Sequence, residues 1–179
     1  MGLRTVAYPF DWIFSDLDMV KHCILDGFKT LLDTDMIVKV GESSSTHKVY
    51  TGDSPTFNHH DLSDVRTHAA FKRRCARFLD AYTSRPEGVG MLYMTKSDVW
   101  WGEAQSNERN SLADFCGFVA ATSPESVVVV MVLCRTGEIK HDVVRFAQNC
   151  YVAHIHYGDT DNLAAVRDVL DLVLIIKSV

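Results

Sequence analysis

The sequence predicts a mixed α/β fold: a single three-layer αβα domain with a mostly parallel sheet, and a less regular N-terminal third carrying a small hairpin. Three observations lead there. Strand and helix patterns alternate from residue 89 onward. The run SVVVVMVLC at 126–134 is apolar at nearly every position, which marks a strand covered on both faces. No Pro- or Ser-rich linker divides the chain, and 179 residues suit one domain with a core of its own. Residues 1–179 are therefore expected to form one α/β domain.

The first helix is expected to begin near Ser15, an N-cap with Asp18 in the first turn where the helix dipole favours a carboxylate. Leu17, Val20, Ile24, Phe28 and Leu31 follow at steps of three and four, and Gly27 weakens the helix slightly. Residues 36–40 (MIVKV) and 48–51 (KVYT) read as strands of a hairpin around the polar loop GESSST. After the turn cluster Gly52-Asp53-Ser54-Pro55, a second helix spans about Ser63 to Thr83. His68, Phe71, Cys75, Phe78 and Tyr82 form its inner face, with Lys72, Arg73 and Arg77 opposite as a solvated surface. Then come a strand at 89–94, a helix from Asn107 to Ala121 and the strand at 126–134. A short helix around His141–Ala147, a strand at 150–157 and a last helix after Asp159 or Asp161 complete the pattern, with LVLIIK as its continuation or as a final strand.

Composition narrows the function. Charged residues make up 23% of the chain and hydrophobic ones 47%, which excludes wholesale disorder. Eighteen Lys+Arg against 23 Asp+Glu leave a net charge of -5, so a phosphate backbone is a poor principal partner and no nucleic acid is expected. No apolar run reaches the ~18 residues of a membrane span. Five cysteines at 23, 75, 116, 134 and 150 contain no CxxC pair, so they read as reduced, buried residues rather than a disulfide framework or zinc ribbon. MGLRTVAYPF matches neither a signal peptide nor a myristoylation signal, and an intracellular, cytoplasmic location is expected. Phosphate-loop, GxSxG and HExxH motifs are absent, and no cofactor is implied; the expected partner is a peptide or small molecule.

Candidate chemistry concentrates in Phe57-Asn58-His59-His60-Asp61, between turn residues and a helix start. A carboxylate beside an imidazole can fix its tautomer and support its charged form, as acid–base catalysis needs, and the same donors suit a metal. The alternative is structural, with Asp61 or Ser63 capping the helix and the histidines bonded to backbone. His154 and His156 share one face of a strand, close to Asp159, and could add metal ligands or simply be two polar residues on that face. Asp11, in Tyr8-Pro9-Phe10-Asp11-Trp12, either bonds nearby backbone N–H groups or joins aromatics lining a cleft. Trp100-Trp101-Gly102 walls that cleft or covers the sheet edge.

The blocks GLRTVAYPFDWIFSDLDMVKHCILDGFKTLL, FNHHDL and FKRRCARFLD resemble a family of papain-like cysteine peptidases found in bacteria, large DNA viruses and their algal or protist relatives. The resemblance is strong over residues 3–32 and 57–80. It implies a catalytic Cys, with His60 or its neighbour His59 as base, Asp61 as orienter or cap, and Asp11 in the surrounding shell. In other members a Ser-Leu-Gly-x-x-Cys segment precedes the PFDW block. That segment does not occur here, so the resemblance also admits a non-catalytic binding module. Cys134, at a strand's C-terminal end, is the least implausible substitute nucleophile. A metal-dependent hydrolase using His59, His60, Asp61, His154 and His156 is the remaining reading.

Overall fold

The structure is a computed structural model; it describes residues 7–52, 54–84, 90–97, 106–122, 127–134 and 142–156. The chain divides into two compact units, Met1–Arg85 and Pro86–Val179. Together they give a mixed α/β fold with three α-helices among the described residues and two small sheets.

In the N-terminal unit, a 3-10 turn at Pro9–Trp12 precedes α1 (Leu17–Asp26). The cap of α1 is Asp16, whose carboxylate accepts from Met19 N–H at 2.7 Å, one residue beyond the expected Ser15. Gly27 does more than weaken this helix. It ends it at φ 65°, with its N–H turned back to the Cys23 and Ile24 carbonyls. Phe28 and Leu31 thus leave the helix yet stay fully buried. Phe28 itself sits at φ 63°, a costly conformation for a bulky residue. Ring contacts with Phe10 at 5.5 Å and Phe78 at 5.7 Å hold it there.

The hairpin is real but shifted. β1 (Ile37–Gly41) pairs antiparallel with β2 (Ser44–His47), so the serine tract expected as loop is strand, and KVYT lies beyond it. Alternation turns Ser45 and His47 inward, both fully buried. Polar side chains point into this core because each finds partners. His47 Nδ1 accepts from the N–H groups of Val49 (3.1 Å) and Tyr50 (3.3 Å), while its Nε2–H donates to the Thr30 carbonyl at 3.0 Å. Ser45 also bridges to Phe57, exchanging two backbone hydrogen bonds.

α2 (Val65–Thr83) begins at Asp64, whose carboxylate takes both the N–H and the hydroxyl of Thr67 at 2.8 Å; neither Asp61 nor Ser63 is the cap. Phe71, Cys75, Phe78 and Tyr82 form its buried face, as the spacing predicts, while His68 Nε2 donates to the Leu32 carbonyl at 2.9 Å.

Among the described residues, the C-terminal unit holds a four-stranded sheet in the order β3 (Gly90–Ser97), β4 (Val127–Cys134), β6 (Cys150–His156), β5 (Asp142–Ala147), with α3 (Ser106–Thr122) packed on it. β3–β4 and β4–β6 are parallel, but β5–β6 is antiparallel, so the expected mostly parallel sheet is a mixed one. The cause lies at residues 142–147, expected as a short helix. Val143 and Phe146 mimic a helical step, but the β-branched Val143-Val144 pair favours extended backbone, and Gln148-Asn149 turns it into a hairpin with β6. Val129, Met131, Tyr151, Ala153 and Ile155 form one buried cluster. Leu112, Phe115, Cys116 and Val119 of α3 are buried as expected. The last helix, LVLIIK and Trp100-Trp101-Gly102 lie outside the described residues. Among the described residues, no helix is long and apolar enough to cross a membrane.

Burial lowers the His47 pKa, and protonation at Nδ1 would also set a new N–H against two backbone donors. The unfolded chain takes up this proton first, near the ordinary histidine value of about 6.5. Stability against urea should therefore fall as pH drops from there toward the lower folded value, with a smaller slope in His47→Gln. Stability that stays flat or rises as pH falls would contradict this placement.

Candidate ligand-binding site

Phe57 begins the segment that carries the histidines, held by its pairing with Ser45. Ser45 Oγ then donates to the His60 carbonyl at 3.0 Å and accepts from Leu62 N–H at 3.1 Å. Phe57 and Leu62 are both fully buried, so the loop is anchored at each end and His60 is presented between.

The His60 ring meets α2, not the neighbouring carboxylate. Arg74 Nη1 donates to His60 Nε2 at 3.0 Å, and an arginine has no acceptor to offer in return, so Nε2 carries the lone pair and the ring is neutral. Burial lowers the His60 pKa, and the positive charge of Arg74 and the proximity of His59 lower it further. Phe71 backs both groups, with the Arg74 guanidinium 6.0 Å from its centroid and the His60 ring 6.3 Å away. His60, Arg66, Thr67, Ala70, Phe71 and Arg74 enclose a recess of about 290 Å³.

Asp61 is engaged elsewhere. Its Oδ2 pairs with Lys39 Nζ of β1 at 2.7 Å, and its Oδ1 accepts from the N–H and hydroxyl of Ser63. The Lys39 hydrogen bond, with those of Ser63, holds the Asp61 carboxyl below the usual range. His59 is exposed. Asp11 accepts from Tyr8 N–H within its own turn. That turn packs against Phe78, two helical turns (about 10 Å) beyond Phe71, and Arg77 donates to the Ala7 carbonyl there. Asp11 is in the lining neither of this recess nor of the larger cavity beside α1.

The second cavity, about 530 Å³, lies between α1 and the segment after β2, with Asp16, His22, Tyr50 and Thr56 in its lining. Beside it Cys23 donates to the Tyr50 hydroxyl (3.8 Å), which shares a hydrogen bond with His22 Nδ1 (2.9 Å), and His22 Nε2 lies 4.0 Å from Asp26. The order Cys–Tyr–His–Asp looks like an activation chain, but the thiol has no exposed surface and burial pushes its pKa up to about 12. A thiol so shifted is a poor nucleophile near neutrality. Cys75 is likewise pushed up to about 12 by burial. Cys116 is raised by its hydrogen bond to Cys150 and by burial, and both are fully enclosed. Cys134 is the last residue of β4.

His154 is buried on β6, paired in register with Val132 and Asp142, and His156 pairs with Cys134. Among the described residues, no group of three or more His, Cys, Asp or Glu is arranged to hold a metal ion. Sequence reasoning missed Arg74 and Lys39, the two residues that decide the partners of His60 and Asp61. Spacing could have flagged Arg74, one helical turn past Ala70 and three residues past the inward Phe71.

One comparison with known proteins gives a match. The model of a family described as putative papain-like cysteine peptidase matches residues 1–137. No curated protein and no solved structure matches.

Because Asp61 bonds Lys39 and not His60, Lys39→Met should raise the Asp61 pKa, read from carboxyl carbon shifts, and leave the His60 ring titration where it is. A matching displacement of the His60 titration would show that the carboxylate does orient the ring.

Proposed function

The chain belongs to the family of putative papain-like cysteine peptidases, and on that premise we propose that its N-terminal unit serves as a ligand-binding module, with none of Cys23, Cys75, Cys116 and Cys150 acting as a nucleophile. A Cys–His enzyme needs a histidine whose free lone pair faces a thiol and whose charged form is supported. The observation that carries the proposal is the Arg74–His60 bond: the lone pair of Nε2 faces a cation, and the carboxylate that would support the imidazolium is held by Lys39. Cys23, Cys75, Cys116 and Cys150, all buried, support the same reading. What remains is a concave recess with polar and cationic lining, which is equipment for holding a ligand.

One observation favours a thiol hydrolase as the second reading. A ring whose pKa lies below the ordinary value is neutral at pH 7, the state a general base requires. In that reading Arg74 releases Nε2 when substrate binds, and the sulfur comes from a residue other than those four.

Iodoacetamide labelling of the native protein, followed by peptide mapping, separates the two. The binding-module reading expects every cysteine to react no faster than an ordinary exposed thiol, and His60→Gln to change nothing. One cysteine that labels rapidly and slows in His60→Gln would overturn it in favour of the hydrolase.

A further inference from the structure

Two cations line the recess beside His60, and among the described residues neither has an anionic partner. Arg74 is half-buried, uses one of its five N–H donors on His60, and rests against the face of Phe71. Arg66, eight residues and about two helical turns earlier on α2, is exposed and lines the same recess. Among the described residues neither guanidinium makes an ion pair. Neither Asp61, which pairs with Lys39 and Ser63, nor Asp64, which accepts from the N–H and hydroxyl of Thr67, is in the lining of the recess. A partly desolvated cation without a counter-charge is unfavourable, and the arrangement is relieved when an anion arrives.

From this juxtaposition we infer that the recess bounded by His60, Arg66, Thr67 and Arg74 binds a carboxylate, at the end of either a small organic acid or a peptide. The inference rests on the binding-module reading and names the ligand class of the same site. A volume of about 290 Å³ falls at or below the lower bound of ordinary small-molecule pockets, roughly 300 Å³, so it suits a terminal group with a short attached chain rather than a whole nucleotide. Arginine recognises a planar carboxylate through two parallel N–H donors, which lysine cannot reproduce. The neutral His60 ring keeps its remaining N–H as a further donor.

Binding and protonation of His60 are coupled. The groups that face the ring are Arg74 and Arg66 from α2 and His59 from its own loop, all of one sign when charged; Ser45 from β2 meets only its backbone carbonyl, and the Lys39–Asp61 pair is internally neutral. A carboxylate placed among them favours the imidazolium. Bound ligand therefore raises the affinity of His60 for a proton, and by reciprocity affinity for ligand increases as pH falls through the ring's titration.

The test is a titration of the full chain, followed by the His60 ring resonances and by calorimetry. The probes are N-acetylglycine, its uncharged amide N-acetylglycinamide, an N-acetylated tripeptide acid and inorganic phosphate. The two acids are expected to bind saturably, the amide not at all, and affinity for the acids should increase as pH is lowered. Loss of a charged hydrogen bond in Arg74→Gln should weaken acid binding about tenfold or more, with a smaller loss in the exposed-site variant Arg66→Gln, which keeps the test open should the Arg74 variant fold poorly. Tighter binding of the tripeptide acid than of N-acetylglycine identifies a peptide end as the source; equal binding identifies a small acid. Equal response to acid and amide, binding of phosphate alone, or acid affinity unchanged in both arginine variants would overturn the inference. If the thiols are inert but no acid binds, this inference falls while the binding-module reading stands; a rapidly labelled cysteine defeats that reading separately.

Discussion

A buried hydroxyl fixes the segment that carries the histidines. Ser45 Oγ spans the His60 carbonyl and the Leu62 N–H, and the Ser45 backbone pairs with Phe57 on the other side of the loop. A segment whose two backbone ends are held this way has little freedom to re-aim His60. With the loop pinned, the ring must meet whatever α2 offers at that height, and α2 offers Phe71 and Arg74. Buried polar groups are tolerated only when satisfied, so the polar inner face of β2 is best understood as the scaffold of this loop.

The electrostatics follow from that placement. A cation against an imidazole acceptor lowers the ring's proton affinity, whereas a carboxylate would raise it. The chain has a carboxylate next door in sequence and still directs it to Lys39 on β1, on which Asp61 and Ser63 then close a tight local turn. Adjacent residues at the exit of a loop point in different directions, and here one serves the helix-facing recess while the other ties the loop to the hairpin. The PFDW turn has its own task at the far end of α2. There Phe10 and Phe78 brace the left-handed Phe28, and Asp11 caps its own turn. Family membership and local geometry thus bear on different questions, since the family is shown over most of the chain while Cys23, Cys75, Cys116 and Cys150 are all enclosed.

Much of this was legible in the sequence. The α2 stripe of Phe71, Cys75, Phe78 and Tyr82, the apolar β4 and the turn signals gave elements close to those observed, because apolar periodicity reports burial directly. The misplaced elements share a cause. β2 is buried through Ser45 and His47, polar residues that carry no hydrophobic signal, and β5 exposes Val144 and Phe146, apolar residues that carry a false one. For the site, residue types singled out the loop that carries His60, and Cys23, Cys75, Cys116 and Cys150 read correctly as buried. Partner choice did not follow, because Arg74 and Lys39 reach His60 and Asp61 across the fold, and two neighbouring letters cannot say which of them faces which charge.

The account turns on the protonation and tautomer of a single ring. Nitrogen-15 correlation of the His60 imidazole at neutral pH reads both at once. The arrangement requires a neutral ring with the proton on Nδ1 and an unprotonated Nε2 accepting from Arg74. A ring protonated on Nε2, or an imidazolium at neutral pH, would contradict it and return His60 to the role of a carboxylate-supported base.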